Sequence, residues 1–323
     1  MNTQHSQRYW VYRPVIILTI CAIMVTTSFQ PTVAGDIFGI SMLGRLSPET
    51  TLEDTEANLS TSQLVMEISV GPLDLEYIMT SFSWNGLQAL PFGDGQTTPW
   101  QRLHQVSADV GYLAQQNTVW GYFGRMTGEA ACENDVDDAY LKARALGGLR
   151  YTVQDDRVYL MAGGGLTADD FATAWMPVGG LEWHIGYGFK LSLIYPMESE
   201  LSFTSKNDRL SIDLNILNGY TDIEYVVMPE LHVVLRYDEN DTVHRLSKES
   251  VVEPLQERTY LEVKERLVYV GVNYSPLKNL TCDVGATYTV HSEMTLLDDE
   301  EEQLRKYTID PTIGGVFGMT YAF

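Results

Sequence analysis

The sequence predicts an all-β protein, a transmembrane antiparallel up-and-down β-barrel of about 14 strands, with 12 as the alternative. Three observations lead to this prediction. Long segments alternate between apolar and polar residues, the N-terminus has the composition of a secretory signal peptide, and the chain ends on an aromatic residue within such a segment. A period of two gives each strand one apolar face, which lipid covers in a membrane barrel.

The last segment, residues 307–323, shows the alternation most fully. Most of its odd-numbered positions are apolar or aromatic, and its even-numbered positions are mainly small or polar. The spacing Gly318-x-x-Tyr321-x-Phe323 resembles the C-terminal signal by which bacterial outer-membrane barrels are recognised for insertion, although that signal usually has a polar residue where Val316 stands. The resemblance implies that the barrel-insertion machinery binds this strand.

The N-terminus predicts export. Arg8 and Arg13 precede an apolar run, and short side chains lead up to Ala34, where a signal peptidase would cut. The run has about 11 to 13 residues, whereas a membrane-spanning helix needs roughly 20, which disfavours an N-terminal anchor. We therefore expect residues 1–34 to be a signal peptide and residues 35–323 to form one barrel domain, exported through the periplasm to the cell outer membrane.

The composition limits the partners. A formal charge of −22 argues against nucleic acid and against electrostatic docking on anionic lipid. The expected partners are outer-membrane lipid and lipopolysaccharide around the wall, with no cofactor and no metal, and monomer and trimer both stay open. We expect the two cysteines of the barrel domain, Cys132 and Cys282, not to pair.

Counting strands by sidedness assumes that both termini and the short turns face the periplasm. The count gives about 14 strands if residues 37–46 and residues 200–205 are strands of their own and residues 181–195 form one strand. It gives about 12 if the first strand is not in the wall and residues 63–84 form a single bulged strand. We expect outer loops at residues 85–101, 129–139, 167–180, 238–258 and 292–306, and periplasmic turns at residues 115–117, 154–156 and 275–278.

Several short motifs between residues 63 and 291 also resemble a family of outer-membrane barrels with no assigned function. That resemblance implies the same fold and no particular chemistry. The motifs are Gly71-Pro72-Leu73 between two strands, Trp84 with Pro91-Phe92-Gly93, Gly179-Gly180 at the start of a long strand, Ile194-Tyr195-Pro196 at its end, and Leu201-Ser202-Phe203.

Charged residues recur on the polar face of these segments. Inside a barrel such charges are either hydrated in a channel or paired across a closed lumen. Glu262 is expected on this face as well. The candidate lumen-lining residues are Lys142, Arg144, Arg150, Glu182, His184, Lys190, Arg209, Asp213, Glu230, His232 and Arg236.

These features favour a passive, narrow pore for small polar solutes or ions, whose acidic excess would prefer cations. One alternative is a closed barrel with a structural or surface-interaction role through its acidic outer loops, such as residues 298–302. A minor alternative is an outer-membrane lipid hydrolase that uses His184 or His232. No nucleophile motif accompanies either histidine, so we expect no enzyme activity and name no catalytic residue.

Overall fold

The computed structural model describes residues 38–53, 55–90, 98–133, 139–155, 157–196, 198–217, 219–247 and 259–323, with the side chain of Glu198 left out. The expected signal peptide, residues 1–34, lies outside the described residues. Their regular secondary structure is β-strand, apart from a short 3₁₀ turn at Leu87–Ala89. No helix among the described residues is long and apolar enough to cross a membrane.

Seventeen strand segments follow one another along the chain, and consecutive segments pair in an antiparallel meander, except that β16 and β17 both pair with β15. They are β1 (Phe38–Thr51), β2 (Asn58–Val70), β3 (Leu73–Asn85), β4 (Arg102–Gln115), β5 (Trp120–Cys132), β6 (Tyr140–Gln154), β7 (Val158–Asp169), β8 (Thr173–Gly186), β9 (Phe189–Tyr195), β10 (Glu198–Thr204), β11 (Leu210–Asn215), β12 (Tyr220–Met228), β13 (Leu231–Arg245), β14 (Tyr260–Leu277), β15 (Leu280–Leu297), β16 (Gln303–Ile309) and β17 (Thr312–Ala322).

The sheet closes on itself, because β1 pairs with β17 from Gly39 opposite Ala322 to Leu46 opposite Gly315. Segments β16 and β17 both pair with β15 and form one interrupted strand, so the wall has 16 strands. We call the end of the barrel that holds Phe38 and Phe323 the base, and the opposite end the mouth. The all-β, antiparallel barrel prediction is confirmed.

The predicted strand count of 14, and the alternative of 12, are wrong. Residues 181–195 are two strands, β8 and β9, joined by a turn at Tyr187 and Gly188 with φ of 56° and 87°. Leu181 lies opposite Leu193, so odd-numbered residues stay on one face through the turn and the alternation does not reveal it. Residues 63–84 are likewise two strands, not one bulged strand.

The expected base turns agree with the structure, whereas several of the expected outer loops do not. All three expected base turns are found, between β4 and β5, β6 and β7, and β14 and β15. The first strand and the short strand expected at residues 200–205 are also present, as β1 and β10. The outer loops expected at residues 167–180, 238–258 and 292–306 are wrong in extent. Strand β8 begins at Thr173, β13 runs to Arg245, and β15 runs to Leu297 with β16 from Gln303.

The two faces of the wall differ in exposure and chemistry. On β17 the odd-numbered Ile313 and Phe317 are 67% and 64% exposed, whereas the even-numbered Val316 is 7% exposed. Near the base the outer face carries a belt of exposed aromatic side chains: Trp120, Tyr122, Tyr151, Phe189, Tyr225, Tyr274, Tyr321 and Phe323. An apolar exterior with aromatic belts is the architecture of outer-membrane barrels.

At the mouth the β13–β14 hairpin separates from β12 and crosses the lumen, while β14 stays paired with β15 up to Tyr260. Strand β12 pairs with β13 only up to Tyr237, and beyond it β13 reaches β5, where Arg245 bridges Cys132. Tyr260 packs with ring centroids 6.1 Å from Tyr140 and 4.7 Å from Phe171. We call residues 238–245 and 260–267 the flap. The outward-facing residues of β13 are apolar near the base, but in the flap they are Glu239 and Asp241. The flap therefore lies on the mouth side of the apolar belt that lipid would cover.

Twelve buried side chains fill the mouth on one side of the flap. Leu59 and Leu261 are 0% exposed, and burying a leucine stabilises a fold by about 1.5 to 3 kcal/mol. We call this group the mouth cluster. Its members are Leu52, Leu59, Phe82, Trp84, Trp100, Leu103, Leu246, Leu261, Met294, Leu296, Tyr307 and Ile309.

Candidate functional site

The inner face of β6, β8 and β9 carries a charged network centred on Glu182. Arg150 Nη2 lies 3.2 Å from one carboxylate oxygen of Glu182, and His184 Nε2 and Lys190 Nζ lie 3.0 and 3.8 Å from the other. The guanidinium of Arg150 also stacks 3.4 Å above the ring centre of Tyr159. One carboxylate therefore holds three of the predicted basic residues, which positions them against the wall.

A second network lies on β12 and β13. Arg236 Nη2 and the hydroxyl of Tyr220 each donate to Asp222 at 2.8 Å. Asp213 on β11 lies directly opposite Asp222, so two acidic residues are adjacent here and Arg236 pairs with one of them. His232 bonds Glu224, not the neighbouring Glu230.

The other predicted residues fall into two groups. Lys142 and Arg144 lie on β6 opposite Glu129 and Thr127, on the same face as Arg150. Arg209 and Glu230 lie in exposed base turns before β11 and between β12 and β13, apart from both networks.

Glu262 differs from its expected place. It lies opposite Val243 and Thr295, on the face of the flap away from the mouth cluster. Residues of β14 still alternate between two faces in the flap. Because the flap crosses the lumen, the face that points outward lower in the strand no longer points to the surroundings of the barrel.

Sequence reasoning missed two ion pairs that join separate strands. Arg45 on β1 forms a two-pronged pair with Glu265 on β14, with side chains 9% and 18% exposed. Arg125 pairs with Asp109 across β4 and β5 at 2.8 Å. The alternation of inner and outer residues along β1 was enough to place Arg45 on the inner face. Its partner was not predictable in this way, because it lies 220 residues away in sequence.

The inner face of β2 and β3 is acidic. Glu67 lies directly opposite Glu76, and Asp74 lies opposite Asp109. Serine hydroxyls donate to Glu67 and Glu76, and neither of these two acids forms an ion pair with a described residue. This side of the lumen therefore carries uncompensated negative charge.

A small cavity of about 70 Å³ lies under the mouth cluster. Polar side chains of β1 and the flap line it, including Arg45, Ser47, Thr242 and His244. Burial lowers the pKa of His244 to about 4, so the ring is neutral at pH 7. This part of the lumen is nearly filled.

The two candidate histidines bond carboxylates. His184 bonds Glu182 and His232 bonds Glu224, and among the described residues no serine hydroxyl hydrogen-bonds to either ring. The part of the chain that the structure describes holds no group of three or more His, Cys, Asp or Glu side chains arranged for a metal ion. Cys132 and Cys282 lie on β5 and β15 and form no disulfide with each other.

The C-terminal strand forms the closing seam of the barrel. The rings of Tyr321 and Phe323 are exposed with centroids 4.6 Å apart, and Phe323 also contacts Phe38 at 4.9 Å. Gly318 lies on the inner face, opposite Leu43 and Asp283. The three residues of the predicted insertion signal thus lie where the last strand meets the first.

Neither a protein-family model nor a curated protein matches the chain. Among solved structures it is similar to the Pseudomonas putida toluene transporter TodX, with 12% identity, a TM-score of 0.37 and 92% of each chain covered. An outer-membrane channel from Pseudomonas putida F1 has 9% identity and a TM-score of 0.37, with 91% of this chain and 100% of that chain covered. The translocator domain of the autotransporter NalP from Neisseria meningitidis has 9% identity, a TM-score of 0.30 and full coverage of both chains. The proposed function therefore rests on the residues of this chain.

Proposed function

We propose that the chain is an outer-membrane barrel that acts as a passive, narrow pore for small polar solutes or ions. The observation that carries this proposal is one closed wall with two opposite faces. The outer face is apolar and exposed, and the inner face carries charged side chains beside buried apolar ones such as Phe123, Leu146 and Val234. Barrels of 16 to 18 strands leave room for an aqueous channel, whereas barrels of eight strands are filled by side chains.

The inner charges favour cations. Glu67, Asp74 and Glu76 have no ion-pair partner among the described residues, and the basic residues Arg150 and Arg236 are held by carboxylates. Charge of one sign along a low-dielectric wall raises the local concentration of counter-ions. The lumen therefore attracts cations along β2 and β3.

A closed barrel with a structural or surface role is the second candidate, and the mouth cluster favours it. Twelve packed apolar side chains block part of the mouth, and several inner charges are paired. In that case the acidic loop at residues 298–302, where Asp298 Oδ1 accepts from the backbone N–H groups of Glu300 and Glu302, would meet the surroundings.

Conductance separates the two candidates. The chain from Gly35 is refolded into a planar lipid bilayer under a salt gradient, and current steps and the reversal potential are recorded. The pore predicts discrete steps and a cation-selective reversal potential, and the Glu76→Gln variant should reduce that selectivity. A folded, heat-modifiable barrel that gives no steps would favour the closed barrel.

The proposal includes the surroundings of the barrel. Lipid and lipopolysaccharide of the outer membrane cover the exposed apolar face, and the barrel-insertion machinery binds β17 through Gly318, Tyr321 and Phe323. Removing Phe323 should slow insertion into vesicles that contain the machinery more than it slows folding in detergent. Equal slowing in both would contradict this role.

A further inference from the structure

The flap divides the mouth into two unequal parts. The part between the flap, β1–β4 and β14–β16 holds the mouth cluster and the small cavity below it. A hydrated ion that crossed the mouth cluster would lose its water without gaining polar partners, which is strongly unfavourable. The mouth cluster therefore blocks the passage of ions through this part.

The opposite face of the flap is charged and exposed. The side chains of Glu239, Asp241, Lys264 and Arg266 are 37%, 56%, 43% and 53% exposed. Arg266 pairs with Glu239, and Lys264 Nζ lies 2.9 Å from Glu262. A hydrated surface thus lies directly behind the mouth cluster, one strand thickness away.

This charged face looks across the lumen at β6. Asp241 lies close enough to Lys142 and to Glu129, on the inner faces of β6 and β5, for direct electrostatic interaction. Tyr260, on the same face of the flap, packs on Tyr140 of β6. Two oppositely placed charged surfaces therefore border the second part of the mouth.

The wall beyond this second part is low. Strands β9, β10, β11 and β12 have 7, 7, 6 and 9 residues, whereas the flanking β8 and β13 have 14 and 15. Because each of these strands has one end in a turn at the base, the rim of the barrel is lower on the side of β9–β12. The space between the flap and β6 opens toward this low rim.

We propose that the aqueous path leaves the barrel off its axis, between the charged face of the flap and β6–β12, and that Asp241 and Lys142 set the charge selectivity of this outlet. The inference rests on the proposed pore function and names its exit and two specificity-determining residues. Neighbouring residues on β13 then have opposite roles: Asp241 faces the path, and Thr242, which is 7% exposed, faces the filled part.

Thiol modification of these two neighbours tests the proposal. Asp241→Cys and Thr242→Cys are made in a background with Cys132→Ser and Cys282→Ser, and a trimethylammonium methanethiosulfonate is added on the loop side during bilayer recording. At position 241 the added cation should lower the conductance and shift the reversal potential away from cation selectivity. At position 242 the conductance should not change, and mass spectrometry should show little modification. Asp241→Asn, the mildest change, should produce a smaller shift in the same direction.

Each other result has a distinct meaning. Block at position 242 with no effect at position 241 would place the path through the filled part and overturn the proposal. Complete modification at position 241 with unchanged conductance would overturn it as well. If the unmodified background protein gives no current steps, the pore function itself fails, and this is seen before any reagent is added.

Discussion

Removing one partner of the pair between Arg45 and Glu265 should destabilise the barrel far more than removing both. The side chains are 9% and 18% exposed, and Asp238 lies near enough to interact with both. Arg45→Met therefore leaves a buried carboxylate without a cation and beside a second acid. Breaking a buried pair in this way costs about 3 to 5 kcal/mol, whereas apolar replacement of both partners is often neutral or stabilising by about 1 to 4 kcal/mol.

Equilibrium unfolding by urea in lipid vesicles, followed by tryptophan fluorescence, measures these differences. The set comprises Arg45→Met, Glu265→Met and the double variant. Arg125→Met is the matched control, because Arg125 is 44% exposed in its pair with Asp109 and an exposed pair contributes about 1 kcal/mol or less. A loss for Arg45→Met no larger than that of the control would refute the reasoning. So would a double variant that loses the sum of the two single losses.

Three further predictions concern the mouth and a base turn. Leu261→Ala should cost about 2 to 5 kcal/mol, because it opens a cavity in the mouth cluster, and Leu193→Ala on the 42% exposed outer face should cost less in the same urea assay; equal losses would contradict the packing. Gly188→Ala should lower the urea midpoint more than Gly186→Ala. Both glycines have positive φ, but only at position 188 would a Cβ overlap a neighbouring carbonyl oxygen. Because the pKa of His244 falls from 6.5 to about 4 on folding, the flap should lose stability as the pH is lowered from 6.5 toward 4, and the hydrogen-exchange protection factors of the β13 amides should fall. His244→Gln should remove this pH dependence.

The sequence alone was sufficient to predict the kind of fold. On β17, β6 and β13 the alternation is regular, because lipid-facing and lumen-facing chemistry differ at every second residue. The same regularity concealed a strand boundary at Tyr187-Gly188, since a hairpin turn that keeps parity leaves no interruption in the pattern. Strand number was therefore the part of the fold least open to prediction.

The sequence was enough to predict which charged residues share the inner face, but not which of them contact each other. Parity indicated that Arg150 and Glu182 share a face, but their pairing at 3.2 Å depends on how β6, β7 and β8 are staggered. The pair between Arg45 and Glu265 depends on barrel closure through β17 and β1. The change to Glu239 and Asp241 on β13 marks where the outward face stops being apolar, but it does not show that the hairpin folds across the lumen, so the flap was not predicted.

Alternating accessibility along β6 tests the central claim most directly. Single cysteines are placed in turn at residues 141–151, in a background without native cysteines, and the barrel in lipid vesicles is treated with a charged, water-soluble thiol reagent. A hydrated lumen inside a lipid-covered wall predicts modification at the partly exposed even positions 142 and 144 and protection at the odd positions. Protection of every position would show a closed lumen, and modification without a period of two would contradict the membrane barrel itself.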